Sequence, residues 1–305
     1  MSSTEIFKEW KRLTLKAVKL AQEAIRCCQR PGIRLAGSLP PLGATFDATY
    51  PVLDPNSNQP FVSSTRFYSD LAQIFVDNSV DILLIETCPS IAFAIDAVKA
   101  CRTIAPRKEL WLSFVLQSSQ PSLLCSRETV TSAIEALSSI LSSSCQLPEA
   151  ILFNCSTTEA ILNAVAAVRP LYQGRLGGYG NRRYVRSRYG LEQSQEQAQA
   201  NMSINNNDKD AVDLYKNETD ENSEHKIKHI SGERIDLDPT GYANWTQRWV
   251  EAGASIIGGC CQVRPSHIRE LAERKKTGIL TATTHRPRTD LNLKRYHIDI
   301  APSKL

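Results

Sequence analysis

The chain has 305 residues, 42% of them hydrophobic and 22% charged, with a net charge of +4. That length allows one large domain or two ordinary ones; the composition is that of a soluble globular protein, and the mild charge points to no particular class of partner. No apolar run approaches the ~20 residues of a membrane span, and the N-terminal stretch MSSTEIFKEWKRLTLKAVKL lacks the apolar core of a secretory signal. Nine cysteines without such a signal imply a reducing, cytoplasmic setting with free or metal-bound thiols, not a disulfide framework.

Residues 4–29 read as a helix, with Leu13, Val18, Leu20, Ala21 and Ile25 near helical spacing. Six short apolar runs follow: RLAGSL (34–39), DILLIE (81–86), LWLSFVL (110–116), AILFNC (150–155), RLGGYGN (175–181) and ASIIGGC (254–260). Each is apolar throughout and bounded by turn formers, as expected of a strand buried on both faces. Helical patterns at 66–78, 90–102, 127–143, 157–168 and 239–252 separate them, and STTE at 156–159 predicts a capping box with Ser156 as N-cap. Alternating strands and helices predict a parallel sheet under helical cover in a single α/β domain over 1–305. Residues from about 190 to 233 are rich in Asn, Gln, Ser and charge and predict a disordered polar insertion. The tail from about 276 reads as irregular.

Three cysteines close strands. Cys155 ends AILFNC, and Cys260 and Cys261 end ASIIGGC. In a parallel α/β barrel the C-terminal strand ends converge on one rim, so these thiols can meet in space. Three thiolates make a zinc site that leaves room for an exchangeable ligand, and Gly258 and Gly259 would let the chain bend so that both adjacent cysteines reach one ion. Plain burial is the competing reading, since free cysteine is among the most buried residue types. Cys27, Cys28, Cys88, Cys101, Cys125 and Cys145 read as ordinary thiols.

The stretch IIGGCCQVRPSHI resembles the zinc-binding signature of the homocysteine S-methyltransferase family. FNCS resembles that family's Asn-Cys motif, AGSLPPLGA (36–44) its Gly-Ser-Leu turn, and DILLIETCPS (81–90) its Glu-Thr-x-Pro segment. LWLSF (110–114), YGN (179–181) and DLDPTGYANWTQRWVEAGASIIGGCC (236–261) fall in the same order. The resemblance covers about 13–275 apart from the insertion. It implies a TIM-type (β/α)₈ barrel and Zn²⁺ held by Cys155, Cys260 and Cys261. It also implies Glu86 and Thr87 as the segment that holds the amino-acid part of homocysteine. The implied reaction is methyl transfer to the homocysteine sulfur from S-methylmethionine, S-adenosylmethionine or betaine, giving methionine. No catalytic group beyond the metal site is implied. A helix beginning near Ser90 could receive the substrate carboxylate on its N–H groups.

Two strands that usually begin the family's chain, one with an Asp-Gly-Gly motif, have no counterpart here. The run at 34–39 resembles the family's third strand. The expectation is therefore an incomplete barrel of about six strands, with a gap opening beside Cys260 and Cys261. A catalytically impaired zinc-binding pseudoenzyme, or a truncated family member, is the alternative. The expected partners are small molecules, homocysteine and a methyl donor, with no membrane. NRRYVRSRYG (181–190) interleaves arginine with tyrosine as single-strand binders do, but reads as a solvated loop, so no nucleic-acid partner is expected.

Overall fold

A computed structural model describes residues 3–41, 64–117, 122–141, 146–182, 234–280 and 299–300. The elements run α1 (Ser3–Cys28), β1 (Ala36–Leu39), α2 (Ser64–Asp77), β2 (Ile82–Cys88), α3 (Ile91–Ile104), β3 (Glu109–Val115), α4 (Val130–Leu141) and β4 (Ala150–Asn154). They continue with α5 (Thr158–Val168), β5 (Arg175–Gly180), α6 (Pro239–Glu251), β6 (Ile256–Gly259), α7 (Pro265–Lys276) and β7 (Asp299–Ile300). The strands form one sheet in sequence order, and every neighbouring pair is parallel.

The unbroken apolar runs make sense because both faces of the sheet are covered. Alternate residues of a strand face opposite ways. One set, including Leu83, Ile85, Leu112, Phe114, Phe153 and Leu176, packs in the main core with residues of the helices. The other set, Ile82, Leu84, Trp111, Ala150, Leu152, Tyr179 and Ile256, forms a second cluster on the inner face. The sheet curls around this second cluster. In a flat sheet β2 and β5 would lie about 14 Å apart, three strand spacings, yet the Tyr179 hydroxyl on β5 donates to Glu86 on β2 at 3.2 Å. The result is a curled part-barrel, an incomplete TIM-type architecture as the sequence predicts.

Polar ties close the N-terminal end of the strands. Glu109 of β3 accepts from Arg34, Arg175 and the Trp111 indole, and the Arg175 guanidinium lies over the Trp111 ring at 5.1 Å. Buried Arg102 donates to the carbonyls of Gln146, Leu147 and Lys108 and to the Glu149 carboxylate. This end is built for stability, which leaves the C-terminal rim for chemistry.

Two expectations change. The tail is not wholly irregular: two of its residues form β7, which pairs Asp299 with Ile256 and Ile300 with Ile257. Among the described residues this short strand joins the six expected ones, and the edge beside the cysteines is covered along the first half of β6. The N-cap of α5 is Thr157, not Ser156; its hydroxyl accepts from Ala160 N–H at 3.2 Å. Ser156 is used elsewhere, accepting from Leu116 N–H at 2.9 Å and donating to the Asn154 carbonyl, while Glu159 pairs with Arg234 at 2.8 Å. No helix among the described residues is long and apolar enough to cross a membrane.

The polar stretch 190–233 and the Arg/Tyr run at 183–190 lie outside the described residues. The described residues on either side, Arg182 and Arg234, are neighbours, because Arg234 N–H donates to the Arg182 carbonyl at 3.1 Å. Closure entropy grows only with the logarithm of loop length, so the flanks can be joined by a short turn without strain. Replacing 183–233 with a short Gly/Ser linker is expected to leave Tm within about 5 °C of the parent. A larger drop in a thermal melt would mean that the segment packs on the barrel.

Candidate metal centre

The three cysteines singled out in the sequence meet. Cys155, just past β4, and Cys260, just past β6, lie 105 residues apart in the chain, yet their sulfurs are 2.8 Å apart. The Cys260 and Cys261 sulfurs are 3.9 Å apart, and all three lie within 4.8 Å of one another. The cluster grades from buried Cys260 through half-buried Cys155 to exposed Cys261, so solvent reaches it from one side. Its two thiol neighbours, and then burial, push the Cys155 thiol far above the usual thiol range. Three thiolates at this spacing need a cation among them. Tetrahedral bonds of about 2.3 Å hold sulfurs about 3.8 Å apart, which the Cys260–Cys261 pair already matches; Cys155 and Cys260 would part by about 1 Å. The donor set fits a thiophilic divalent ion.

Local backbone makes this meeting possible. Asn154 faces the inner side of β4, so Cys155 should face the helices. Instead Cys155 is left-handed, with φ 51°, and its side chain joins the inner cluster. Thr87 repeats the device after Glu86 on β2, with φ 61° and a break in the β2–β3 register between Ile85 and Cys88. Non-glycine residues with such φ values are rare, and a β-branched one more so; they concentrate where function over-determines the chain.

Glu86 is 1% exposed. Ser38 on β1 donates to one of its oxygens and Tyr179 on β5 to the other. Burial, then the charge of Glu86, and more weakly Cys260 and Cys155, hold the Tyr179 phenol well above its ordinary pKa. Tyr179 thus lies within electrostatic reach of both the carboxylate and the sulfurs. Thr87 is held by Asn154, whose Oδ1 accepts from Thr87 N–H at 3.0 Å and whose Nδ2 donates to Thr87 Oγ1 at 3.0 Å. The structure therefore brings Glu86, Thr87 and all three cysteines to the C-terminal rim. Sequence reasoning gave no role to Ser38, Ser113, Asn154 or Tyr179. Their signal was membership of the quoted motifs AGSLPPLGA, LWLSF, FNCS and YGN together with the inner-facing alternation of their strands.

Two expectations about the rim fail. The N-terminus of α3 is not open to a substrate carboxylate: Ile91 N–H already donates to the Glu128 carboxylate at 2.9 Å and Phe93 N–H to Ser90 Oγ. Nor do Gly258 and Gly259 supply a bend. Both lie within β6, and a Cβ on Gly259 would come within 2.1 Å of Val263. Space is what glycine provides there. The bend comes at the cysteines themselves, in a turn over Cys260–Val263 closed by Val263 N–H on the Cys260 carbonyl at 3.1 Å with Gln262 left-handed at φ 65°. Of the ordinary thiols, Cys88 and Cys101 are buried, Cys27 and Cys28 exposed and Cys125 half-buried; Cys145 lies outside the described residues, as do residues 42–44 of the Gly-Ser-Leu turn.

The rim is braced from behind. Tyr242 of α6 accepts from Gly180 N–H at 3.0 Å and donates to the Gly258 carbonyl at 2.7 Å, joining the ends of β5 and β6. Asn181 Oδ1 accepts from Cys261 N–H at 3.1 Å. Buried His267 accepts at Nδ1 from Arg264 N–H at 3.1 Å, so Nε2 carries the proton and donates to the Leu237 carbonyl at 3.0 Å. His267 is a neutral brace, not a fourth ligand.

Comparison with known proteins agrees with this fold. A model of the homocysteine S-methyltransferase family matches residues 2–275. The metallated form of the homocysteine methyltransferase MmuM from Escherichia coli shares the fold at 21% identity and a TM-score of 0.55, over 87% of this chain and 70% of that one. Its oxidised form matches at 20% identity and 0.55 over the same shares. Its apo form matches at 20% and 0.55 over 88% of this chain and 74% of that one.

The His267 brace predicts a pH dependence. Burial, helped by the charges of Arg182 and Arg264 against the pull of the Leu237 carbonyl, holds its pKa below the ordinary 6.5. The unfolded chain binds the proton first as pH falls, so the contribution is complete above about pH 6.5 and is lost as pH drops through the lower folded value. Urea unfolding at about pH 8 and about pH 5.5 is expected to show a smaller loss for His267→Gln than for the parent. Equal losses would remove His267 from the account.

Proposed function

The chain belongs to the homocysteine S-methyltransferase family, and on that premise we propose that it transfers a methyl group to the thiol of homocysteine, with Cys155, Cys260 and Cys261 holding a zinc ion. The observation that carries the reading is the meeting of three sulfurs within 4.8 Å at the C-terminal ends of β4 and β6. Three protein ligands is the usual number at a catalytic zinc, and thiolates suit it. What a bound zinc ion supplies is a substrate sulfur that is deprotonated at neutral pH; a free thiol, with a pKa near 8.5, is mostly protonated there.

The chain's own residues do the rest. Glu86, on the inner face beside Tyr179, takes the ammonium group of the amino acid, and Thr87 lines the same segment. The inner apolar cluster of Trp111, Leu152 and Ile256 excludes water from the floor of the site, which strengthens the ion pair. Held at both ends, the sulfur lies where an activated methyl can approach in line, and positioning of this kind supplies much of the rate. The sulfur lone pair forms the new S–CH₃ bond as the bond to the donor's sulfonium sulfur or ammonium nitrogen breaks. The donor leaves as a neutral thioether or amine, and the thiol proton has already passed to solvent.

The test is metal content and turnover together. Purified chain is expected to carry about one zinc. Cys155→Ala, Cys260→Ala or Cys261→Ala should lose most of it, while Cys27→Ala should not. Equal zinc in Cys261→Ala and the parent would sink the ligand set. With the metal in place, methionine should form from homocysteine with a sulfonium or betaine donor, and Glu86→Gln should cut kcat/KM by about tenfold or more, the loss of a charged partner. Full metal retention without turnover on S-methylmethionine, S-adenosylmethionine or betaine would identify a metal-binding protein in place of an enzyme.

A further inference from the structure

We propose that Asn154 is a positioning residue that sets the span between the sulfur cluster and Glu86, and with it the site's preference for an amino-acid thiol over a simple one. This rests on the reading of Glu86 and the cysteines given above. Asn154 is fully buried, and its amide ties together the ends of three adjacent strands. Oδ1 accepts from Thr87 N–H on β2 at 3.0 Å and from the Ser113 hydroxyl on β3 at 2.7 Å; Nδ2 donates to Thr87 Oγ1 at 3.0 Å.

Two of those three bonds clamp one residue, and it is the residue that needs clamping. Thr87 is left-handed at φ 61°, where a β-branched side chain persists only if its surroundings over-determine it. Released from Asn154, Thr87 relaxes toward extended backbone. The strict alternation of a strand would then turn its side chain away from the inner face and displace the adjoining Glu86. At its other side Asn154 adjoins Cys155 by a single peptide bond. One rigid amide therefore separates the element that carries a sulfur ligand from the element that carries the carboxylate. A ligand held only at the sulfur cluster, through the cation the cysteines would hold, does not sense that spacing. An amino-acid thiol, held there by its sulfur and at Glu86 by its ammonium group, does.

The experiment compares homocysteine with 1-propanethiol, the same chain without ammonium and carboxylate, by calorimetry on the full-length, zinc-loaded protein. The parent is expected to bind homocysteine more tightly. Asn154→Ala should keep its zinc and its affinity for 1-propanethiol, yet lose about tenfold or more of the preference, a full decade in the ratio of dissociation constants. Ser113→Ala removes one bond of the three and should shift the ratio the same way by less; it carries the test if Asn154→Ala does not fold. A parent that prefers homocysteine and an Asn154→Ala variant that prefers it equally overturn the proposal alone, as does Ser113→Ala with an unchanged ratio when it is the variant that folds. Loss of zinc from Asn154→Ala overturns it too, in favour of a general structural role. A parent without any preference overturns the Glu86 reading together with this one.

Discussion

A β-strand shows only every second residue to a given face, and this site needs neighbours. Glu86 and Thr87 both belong to the inner rim, as do Asn154 and Cys155. The chain meets that demand by breaking the alternation near the C-terminal ends of two strands, where Thr87 and Cys155 turn left-handed. The break falls where the ladder of hydrogen bonds is interrupted: Cys155 follows the last residue of β4, and Thr87 lies in the register shift between Ile85 and Cys88 of β2. That is why the chemistry gathers at the rim while the middles of the same strands keep strict inner and outer sets of side chains.

Left-handed backbone at threonine or cysteine is not stable by itself, so the rim is held by polar ties that reach across strands. Asn154 joins the ends of β2, β3 and β4, Ser38 and Tyr179 bring β1 and β5 onto Glu86, and Tyr242 joins β5 to β6. All of these groups but the half-buried Ser38 are buried, and buried polar groups left unmatched are costly. Each therefore fixes its neighbour in one arrangement. The opposite end of the strands is tied by a different kind of contact, the arginine–glutamate pairs around Glu109 and Glu149. Those pairs hold the curl of the sheet and leave the C-terminal rim to the cysteines.

The same rim explains the partition of the nine cysteines. Cys88 and Cys101 sit in apolar surroundings that hold their thiols up, Cys101 to about 12. Such thiols are inert packing. Cys155 is also held up, but first by its hydrogen-bonding contacts with the Cys260 and Cys261 thiols, a cause that a divalent cation would reverse, because each sulfur would then face the ion's positive charge. A cluster of this kind could hold a cation in a way that a lone buried thiol could not.

Much was legible in the order of residues alone. Short, wholly apolar runs between helical patterns specify a parallel sheet covered on both sides, because no other arrangement buries both faces of such strands. Cysteines at the ends of two of those runs specify where sulfur ligands would be offered. Local pattern is enough for this, since it depends on periods of two and of about 3.6 residues. What the sequence could not settle was direction and occupancy. No local signal announces that Thr87 and Cys155 turn left-handed, because both residue types disfavour it and only their surroundings impose it. The helix start at Ser90 looked open to a ligand, and only folding brought the Glu128 carboxylate onto it. Gly259 looked like a hinge, and only packing showed that Val263 needs its missing side chain. Asn154 and Tyr179 acquired their partners through contacts 67 and 93 residues away along the chain, a distance over which side-chain pairing is decided by the curl of the sheet and not by any neighbouring residue.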